Sequence, residues 1–345
     1  MEPHELNRMF EGLAPTAEQE EEGLRRLLQT ERKVTPMKKL KKLTVAGIAA
    51  ALMVISCAAA AVTGIDQRLM DFMGWGEQAQ ELLAPGAVSL DITVEDNGST
   101  LHITQMLMDR CSLMVLADFT APEGTVLDMG HSERWGYTRF GDCYKMPYVL
   151  DKDGKELYVN TSSGCGWEIL EDDDPADNHL TMLFKLSVPA GGALYREGAA
   201  YFGLAARNLK AYDREAERDV TLCTGNWSAR IPFPDQDIGW VQKVDGAVVK
   251  EIYLSPMTLQ ITLDQAGAWY LREGITLTDR DGHDVPLTLT FGESGNSVVT
   301  QTANENYQLD EIVDPARFQG GTVTLLLEDG PIQFPLDDLA PVTES

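Results

Sequence analysis

The side chains best suited by type to do chemistry are carboxylates, and two short runs of them repeat. Asp151-Lys-Asp-Gly-Lys-Glu and Asp279-Arg-Asp-Gly-His-Asp both alternate oxygen donors around an Asp-Gly pair. A calcium loop of the EF-hand kind needs a longer ligand series and a closing Glu, so each run is expected to be a hairpin turn. Glu171-Asp-Asp-Asp-Pro-Ala-Asp is denser and is expected as a solvated loop. Ser162-Ser-Gly-Cys-Gly-Trp would suit a thiol nucleophile at Cys165 only with a base such as His179 and a third group to orient that base, and no wider pattern supplies one. Acid pairs of the kind that cleave glycosides are uninformative among 54 carboxylates. The chain has no phosphate loop, dinucleotide fingerprint, zinc motif or nucleophile elbow. Its five His stand singly. No enzymatic activity, bound metal or cofactor is expected.

Five cysteines are present. Cys57 lies in an apolar stretch, and Cys111, Cys143, Cys165 and Cys223 all follow it. In an oxidising compartment these four permit one or two disulfides, with three pairings open. Their long, irregular spacings do not suit a metal site.

Positioning these groups takes more than one core, because 345 residues exceed what a single small core holds. The formal charge of −26 is uneven. Residues 1–42 carry eight Asp/Glu and nine Lys/Arg, and the remainder carries 46 acids against 19 bases. Such a surface repels nucleic acid and anionic lipid, so direct nucleic-acid binding is not expected.

From Leu43 to Ile65 no residue is charged. At about 1.5 Å per residue, roughly 20 helical residues cross a bilayer core. Lys38, Lys39, Lys41 and Lys42 stand immediately before the run, and Asp66, Arg68 and Asp71 follow it. Lysines on one flank place the N-terminus in the cytoplasm. The expectation is a Lys-flanked membrane helix over 37–65. A second reading starts at Met37: Met37-Lys-Lys-Leu-Lys-Lys and the apolar run then form a signal peptide, with Val54-Ile-Ser-Cys57 as a lipoprotein cleavage box. The patterned 36 residues upstream, and the apolar residues that continue past Cys57, favour the membrane helix.

In the tail, residues 1–36, Leu6, Met9, Phe10 and Leu13 fall on one face of a helix. Ala14-Pro15 breaks it. Thr16 stands three residues before Gln19, a capping-box spacing for a second helix, whose stripe is Leu24, Leu27 and Leu28. Two helices of about three turns bury too little to fold alone. A cytoplasmic partner covering these seven side chains is expected.

Beyond the run, Ile65–Leu83 reads as one or two juxtamembrane helices (domain bounds 66–83). Leu69, Phe72, Met73 and Trp75 are expected either at the lipid interface or packed on the domain that follows. The period then changes to two. Val88–Val94, the turn Asp96-Asn97-Gly98 and Leu101–Leu107 predict a hairpin. Further strands are expected at Ser112–Phe119, Tyr148–Leu150, Glu156–Val159, Leu180–Val188 and Gly198–Leu209. Val149–Val159 matches Leu277–Leu287 in residue type, and Trp227-Ser-Ala-Arg-Ile-Pro-Phe-Pro resembles Gly330-Pro-Ile-Gln-Phe-Pro-Leu. The fold expected is mainly β: two tandem, Ig-like β-sandwich domains over 84–236 and 237–345, with the prolines at strand ends or edges.

This arrangement resembles bacterial single-pass membrane proteins that carry domain of unknown function 4179 (DUF4179). The resemblance covers nearly the whole chain. It rests on the tail Leu6–Leu28, the helix Leu43–Ile65, and the stretch Ser112-Leu-Met-Val-Leu-Ala-Asp-Phe-Thr-Ala-Pro-Glu-Gly-Thr-Val-Leu-Asp. In the second unit, Ile252-Tyr-Leu-Ser-Pro-Met-Thr-Leu-Gln-Ile is similar to the opening of the small β domain that often follows. The resemblance implies a cytoplasmic helical tail, one membrane helix and extracytoplasmic β domains. It also implies an anti-sigma role in some members, with the tail holding a sigma factor and the outer domains sensing the envelope. The alternative expectation is an envelope adhesion or ligand-binding module, or a lipoprotein, with no regulatory role. Membrane lipid and an unidentified extracytoplasmic ligand complete the expected partners.

Overall fold

The structure, a computed structural model, describes residues 64–129, 133–141, 148–157, 164–187, 194, 198–246, 248–264, 274–293, 302–327 and 330–342. Among them the fold is mainly β, built from antiparallel sheets. No helix among the described residues is long and apolar enough to cross a membrane. The tail, Lys38–Lys42 and Cys57 lie outside the described residues, as does the expected membrane run apart from its last two residues, Gly64 and Ile65. Against expectation these two are not helical, because their backbone groups bond to Gln80 and Gln105 instead.

Two short helices come first: α1 (Gln67–Met73) and α2 (Glu77–Leu83). Asp66 caps α1 by accepting from Arg68 N, and Gly74 closes it in the left-handed conformation. Then come β1 (Ala87–Asp96), β2 (Ser99–Met108), β3 (Ser112–Thr120), β4 (Trp135–Gly141), β5 (Tyr148–Asp151), β6 (Glu156–Leu157), β7 (Gly164–Glu171), β8 (His179–Ser187), β9 (Ala199–Leu204), β10 (Arg207–Asp213), β11 (Arg218–Asn226) and β12 (Ala229–Pro232). They form a sheet β1-β2-β3-β8-β7 and two smaller sheets, β11-β10-β4 and β12-β9-β5-β6. One apolar cluster joins them, with Phe119, Phe140, Trp167, Trp227 and Phe184 in edge-on or tilted contact at 4.8–5.6 Å.

The remaining strands are β13 (Trp240–Lys243), β14 (Val249–Leu254), β15 (Thr258–Asp264), β16 (Ile275–Thr278), β17 (Asp284–Val285), β18 (Leu287–Glu293), β19 (Thr302–Leu309), β20 (Thr322–Leu327), β21 (Gly330–Pro335) and β22 (Ala340–Pro341). Sheets β18-β19-β15-β14-β13-β22 and β17-β16-β20-β21 close over a separate cluster running from Val249 to Leu339.

The expected first hairpin forms. Asp96 pairs with Ser99, and Asn97 and Gly98 bridge them with φ of 50° and 77°, the positive values that a two-residue turn of type I′ demands. The strand expected over Gly198–Leu209 is instead two. The chain leaves the β12-β9-β5-β6 sheet at Leu204 and joins the β4 sheet at Arg207, crossing at Ala205–Ala206, where Ala206 O accepts from Trp227 N.

The central strands β2, β3 and β8 carry apolar residues on both faces because both are covered. Inward, Leu113, Val115, Ala117 and Phe119 of β3 join the aromatic core. Outward, Leu107, Met114 and Leu183 join a third cluster made with Ile65, Leu69, Met70, Ala79 and Leu83 of the helical segment and with Met257, in the β14–β15 turn. On β2 the inward residues are Leu101 and Ile103, then Met106 and Met108. The parity change coincides with a register shift between Ile103 and Gln105. This bulge turns Gln105 toward the helices.

Candidate functional site

Three residues, Gly64, Ile65 and Asp66, link the end of the apolar run to α1. They are gripped from both edges. On one edge Gln80 of α2 accepts from Ile65 N at 2.9 Å and donates to Ile65 O at 3.0 Å. On the other, Gln105 of β2 accepts from Asp66 N and donates to Gly64 O, both at 2.9 Å. Successive backbone groups of an extended chain point to opposite sides. Here two side-chain amides satisfy both sides, as two neighbouring strands would. Each amide uses both its oxygen and its nitrogen, which fixes its orientation. Gln105 is 4% exposed and Ile65 5%.

The next residues extend the grip. Arg68 donates to both oxygens of Asp66 and, through Nη1, to Asp118 Oδ1 of β3 at 2.9 Å and Thr181 Oγ1 of β8 at 3.2 Å. Thr181 in turn donates to Asp118 at 2.9 Å. Leu69, Met70 and Leu83 are buried beneath them. Of the four residues expected at the lipid interface or on the following domain, Leu69 is buried on the domain. Met73 and Trp75 are partly covered against the same cluster, and Phe72 is 41% exposed.

A second polar junction joins the two sets of strands. Asp109, fully buried after β2, accepts through Oδ1 from Cys111 N and Ser112 N, both at 2.7 Å, and from Ser112 Oγ at 3.0 Å. Through Oδ2 it accepts from Ser255 Oγ at 2.6 Å and from Thr258 Oγ1. Beside it the Arg110 guanidinium lies 4.2 Å over the Tyr253 ring and donates to Glu251 at 2.8 Å. Tyr253 OH donates to Asp237 Oδ1 at 2.6 Å and accepts from Arg110 N at 3.1 Å. Burial, then the Asp109 and Asp237 carboxylates, push the Tyr253 hydroxyl pKa well up, and burial pushes the Asp237 carboxyl up. Its hydrogen bonds run from the β2–β3 connection to β14 and to the β14–β15 turn, so the junction acts as a joint between the two sets of strands.

The two Asp-Gly repeats fold alike. Asp151 N donates to Lys155 O, Gly154 N to Asp151 O, and Asp151 Oδ1 accepts from Asp153 N and Lys155 N. In the second copy Asp279 N donates to His283 O, Gly282 N to Asp279 O, and Asp279 Oδ1 accepts from Asp281 N and His283 N. Gly154 and Gly282 hold φ of 79° and 86°, which only glycine adopts without strain. Each leading carboxylate thus holds its own turn through Oδ1, the hairpin geometry expected for both, and Asp279 Oδ2 also accepts from Arg317 Nη2 at 2.8 Å. In the acidic run, Asp172, Asp174 and Asp177 accept from Met129 N, Ala176 N and His179 N.

Cys165 lies within β7, opposite Leu186, whereas His179 pairs with Thr120 at the other end of β8. Seven residues of strand separate them, about 23 Å at ~3.3 Å each, so the two do not meet. Cys111 and Cys223 are buried thiols, and no disulfide joins Cys111, Cys165 and Cys223 to one another. Cys143 lies outside the described residues, as do Leu6, Met9, Phe10, Leu13, Leu24, Leu27 and Leu28 of the tail. Gln80, Gln105 and Asp109 were not singled out by sequence, and Arg68 only as a charge flanking the apolar run. One signal was available: Gln105 interrupts the apolar end of β2 at the point where its alternation changes parity.

No family model matches the chain, and no curated protein matches it. Among solved structures, a conserved domain protein from Bacillus anthracis is similar over 71% of this chain and 80% of that chain, at 11% identity and a TM-score of 0.37. The N-terminal periplasmic domain of ScsB from Proteus mirabilis is similar over 73% of this chain and 98% of that chain, at 8% identity and a TM-score of 0.16. At these scores neither likeness bears on function.

Proposed function

We propose that the chain is a single-pass membrane regulator of the anti-sigma kind. The apolar run that begins at Leu43 crosses the bilayer with the N-terminus inside and leaves it before Gly64, where the chain is held on the β body. The tail holds a cytoplasmic sigma factor through Leu6, Met9, Phe10, Leu13, Leu24, Leu27 and Leu28. The acidic outer region, two tandem Ig-like β-sandwiches, meets an envelope ligand and has no enzymatic activity. The observation that carries this reading is the absence of slack after Ile65. A protein that is merely tethered to a membrane is served by a flexible linker, whereas here helix α1 begins two residues past the apolar run and is packed on the sheet.

The test is capture. Full-length protein extracted from membranes retains a sigma factor, and the Leu13→Asp/Leu27→Asp variant releases it. Retention of no cytoplasmic protein by the wild type, or equal retention by the variant, defeats the regulatory reading and leaves an envelope-binding module.

A further inference from the structure

We infer that Gln80 and Gln105 form a transmission clamp that fixes the outer β body to the chain leaving the membrane, so that movement of that body is passed to the membrane helix rather than lost in a linker. The inference rests on the reading of the chain as a transmembrane regulator and adds the element through which regulation passes. Four hydrogen bonds of 2.9–3.0 Å hold three consecutive residues from opposite sides. One side comes from α2 and the other from β2, so the segment is pinned between two elements that both contribute to one apolar cluster, α2 through Leu83 and β2 through Leu107. Both sets of strands meet the clamp. Leu107, Met114 and Leu183 come from the first, and Met257 from the second, all in the cluster that contains Ile65. A backbone held on one edge alone can swing about that edge. One held on both edges, with the Ile65 side chain buried and the Asp66 carboxylate bound by Arg68, can move only with its surroundings.

The two glutamines hold different amides, which makes the clamp separable by experiment. In full-length protein reconstituted in lipid vesicles, Gln80→Ala should speed hydrogen exchange of the Ile65 amide and leave that of Asp66 near wild type. Gln105→Ala should do the reverse. The affected amide should exchange about two- to tenfold faster, the scale of one lost hydrogen bond. Gln105→Glu keeps an acceptor for Asp66 N and loses the donor to Gly64 O, so it should give an intermediate effect. The β body of each variant should melt as a folded unit. In cells, the Gln80→Ala/Gln105→Ala double variant should retain the sigma factor yet leave expression of the regulated genes unresponsive to the stimulus that moves the wild type. Unchanged exchange at both amides overturns the clamp. Faster exchange with a wild-type response overturns its role in transmission. If Leu13→Asp/Leu27→Asp leaves expression unchanged, the regulatory reading fails first and the transmission role falls with it, an outcome distinguishable from the other two.

Discussion

Asp109 and Ser255, 146 residues apart in sequence, share a hydrogen bond of 2.6 Å with both residues fully buried. Ser255 Oγ also accepts from Met257 N and Thr258 N, so one serine organises the β14–β15 turn and anchors it to the strands before it. A buried carboxylate without its donors is costly, and so are donors without their carboxylate. The pair therefore acts as a joint, and its value lies in coupling the two sets of strands.

Removing the carboxylate should be severe. Asp109→Ala leaves two backbone N–H groups and three hydroxyls without their acceptor, and is expected to cost about 3–5 kcal/mol. Ser255→Ala should cost less, about 1–3 kcal/mol. Urea unfolding of the two single variants and the double variant forms a cycle whose coupling should be about 0.5–3 kcal/mol. Wild-type unfolding should be a single transition, and Asp109→Ala should separate it into two. Additive effects with an unsplit transition would show that the junction does not couple the units.

The cysteines should differ in reactivity from ordinary surface thiols. Burial, and then the neighbouring Asp109 carboxylate, push the Cys111 thiol pKa well up, and burial raises that of Cys223. The nucleophile is the thiolate. Neither residue should be alkylated by iodoacetamide at pH 8 in the folded protein, and both should label fully in urea, as read by mass spectrometry of the peptides. Rapid labelling of Cys111 in the folded state would contradict its packing.

Acid should loosen the second Asp-Gly hairpin in a defined window. The backbone N–H of His283 lowers the Asp279 pKa against the opposing effect of burial. Arg317 and the Asp281 N–H lower it further, to about 2 from 3.8. A folded-state pKa below the unfolded one stabilises above the unfolded value, and the contribution is lost as pH falls toward the folded one. Wild-type stability should thus decline between about pH 4 and pH 2 more steeply than that of Asp279→Asn, whose side chain does not titrate. Parallel curves for the two proteins would show that the carboxylate contributes nothing through its charge.

What sequence reveals here divides by range. The turns at Asn97-Gly98, Asp151–Gly154 and Asp279–Gly282 are written within four residues and are readable, because the positive φ and the side-chain acceptor are local requirements. The strand over Gly198–Leu209 reads as continuous because nothing in its composition marks the crossing between two sheets. That crossing is fixed by Trp227, some twenty residues on. Gln105 finds its partners at Gly64 and Asp66, and Asp109 at Ser255 and Thr258. These are ordinary polar residues whose role exists only once distant backbone is brought beside them. Leu107, Met114 and Leu183 look like surplus hydrophobicity in half-buried strands until the helices that cover their outer face are known.

The central claim is that the apolar run from Leu43 to the residues before Gly64 crosses a bilayer with the tail inside and the β body outside. Single cysteines placed at Glu2 and Ser345, in protein whose native Cys residues are replaced by Ser, report this directly through a membrane-impermeant maleimide applied to intact cells. The account predicts labelling of Ser345→Cys on intact cells and of Glu2→Cys only after the membrane is opened. Recovery of the chain outside the membrane fraction, or labelling of both positions on intact cells, would contradict it. Loss of Glu2 from the mature protein together with a lipid on Cys57, looked for in the chain with its native cysteines, would contradict it in favour of a lipoprotein.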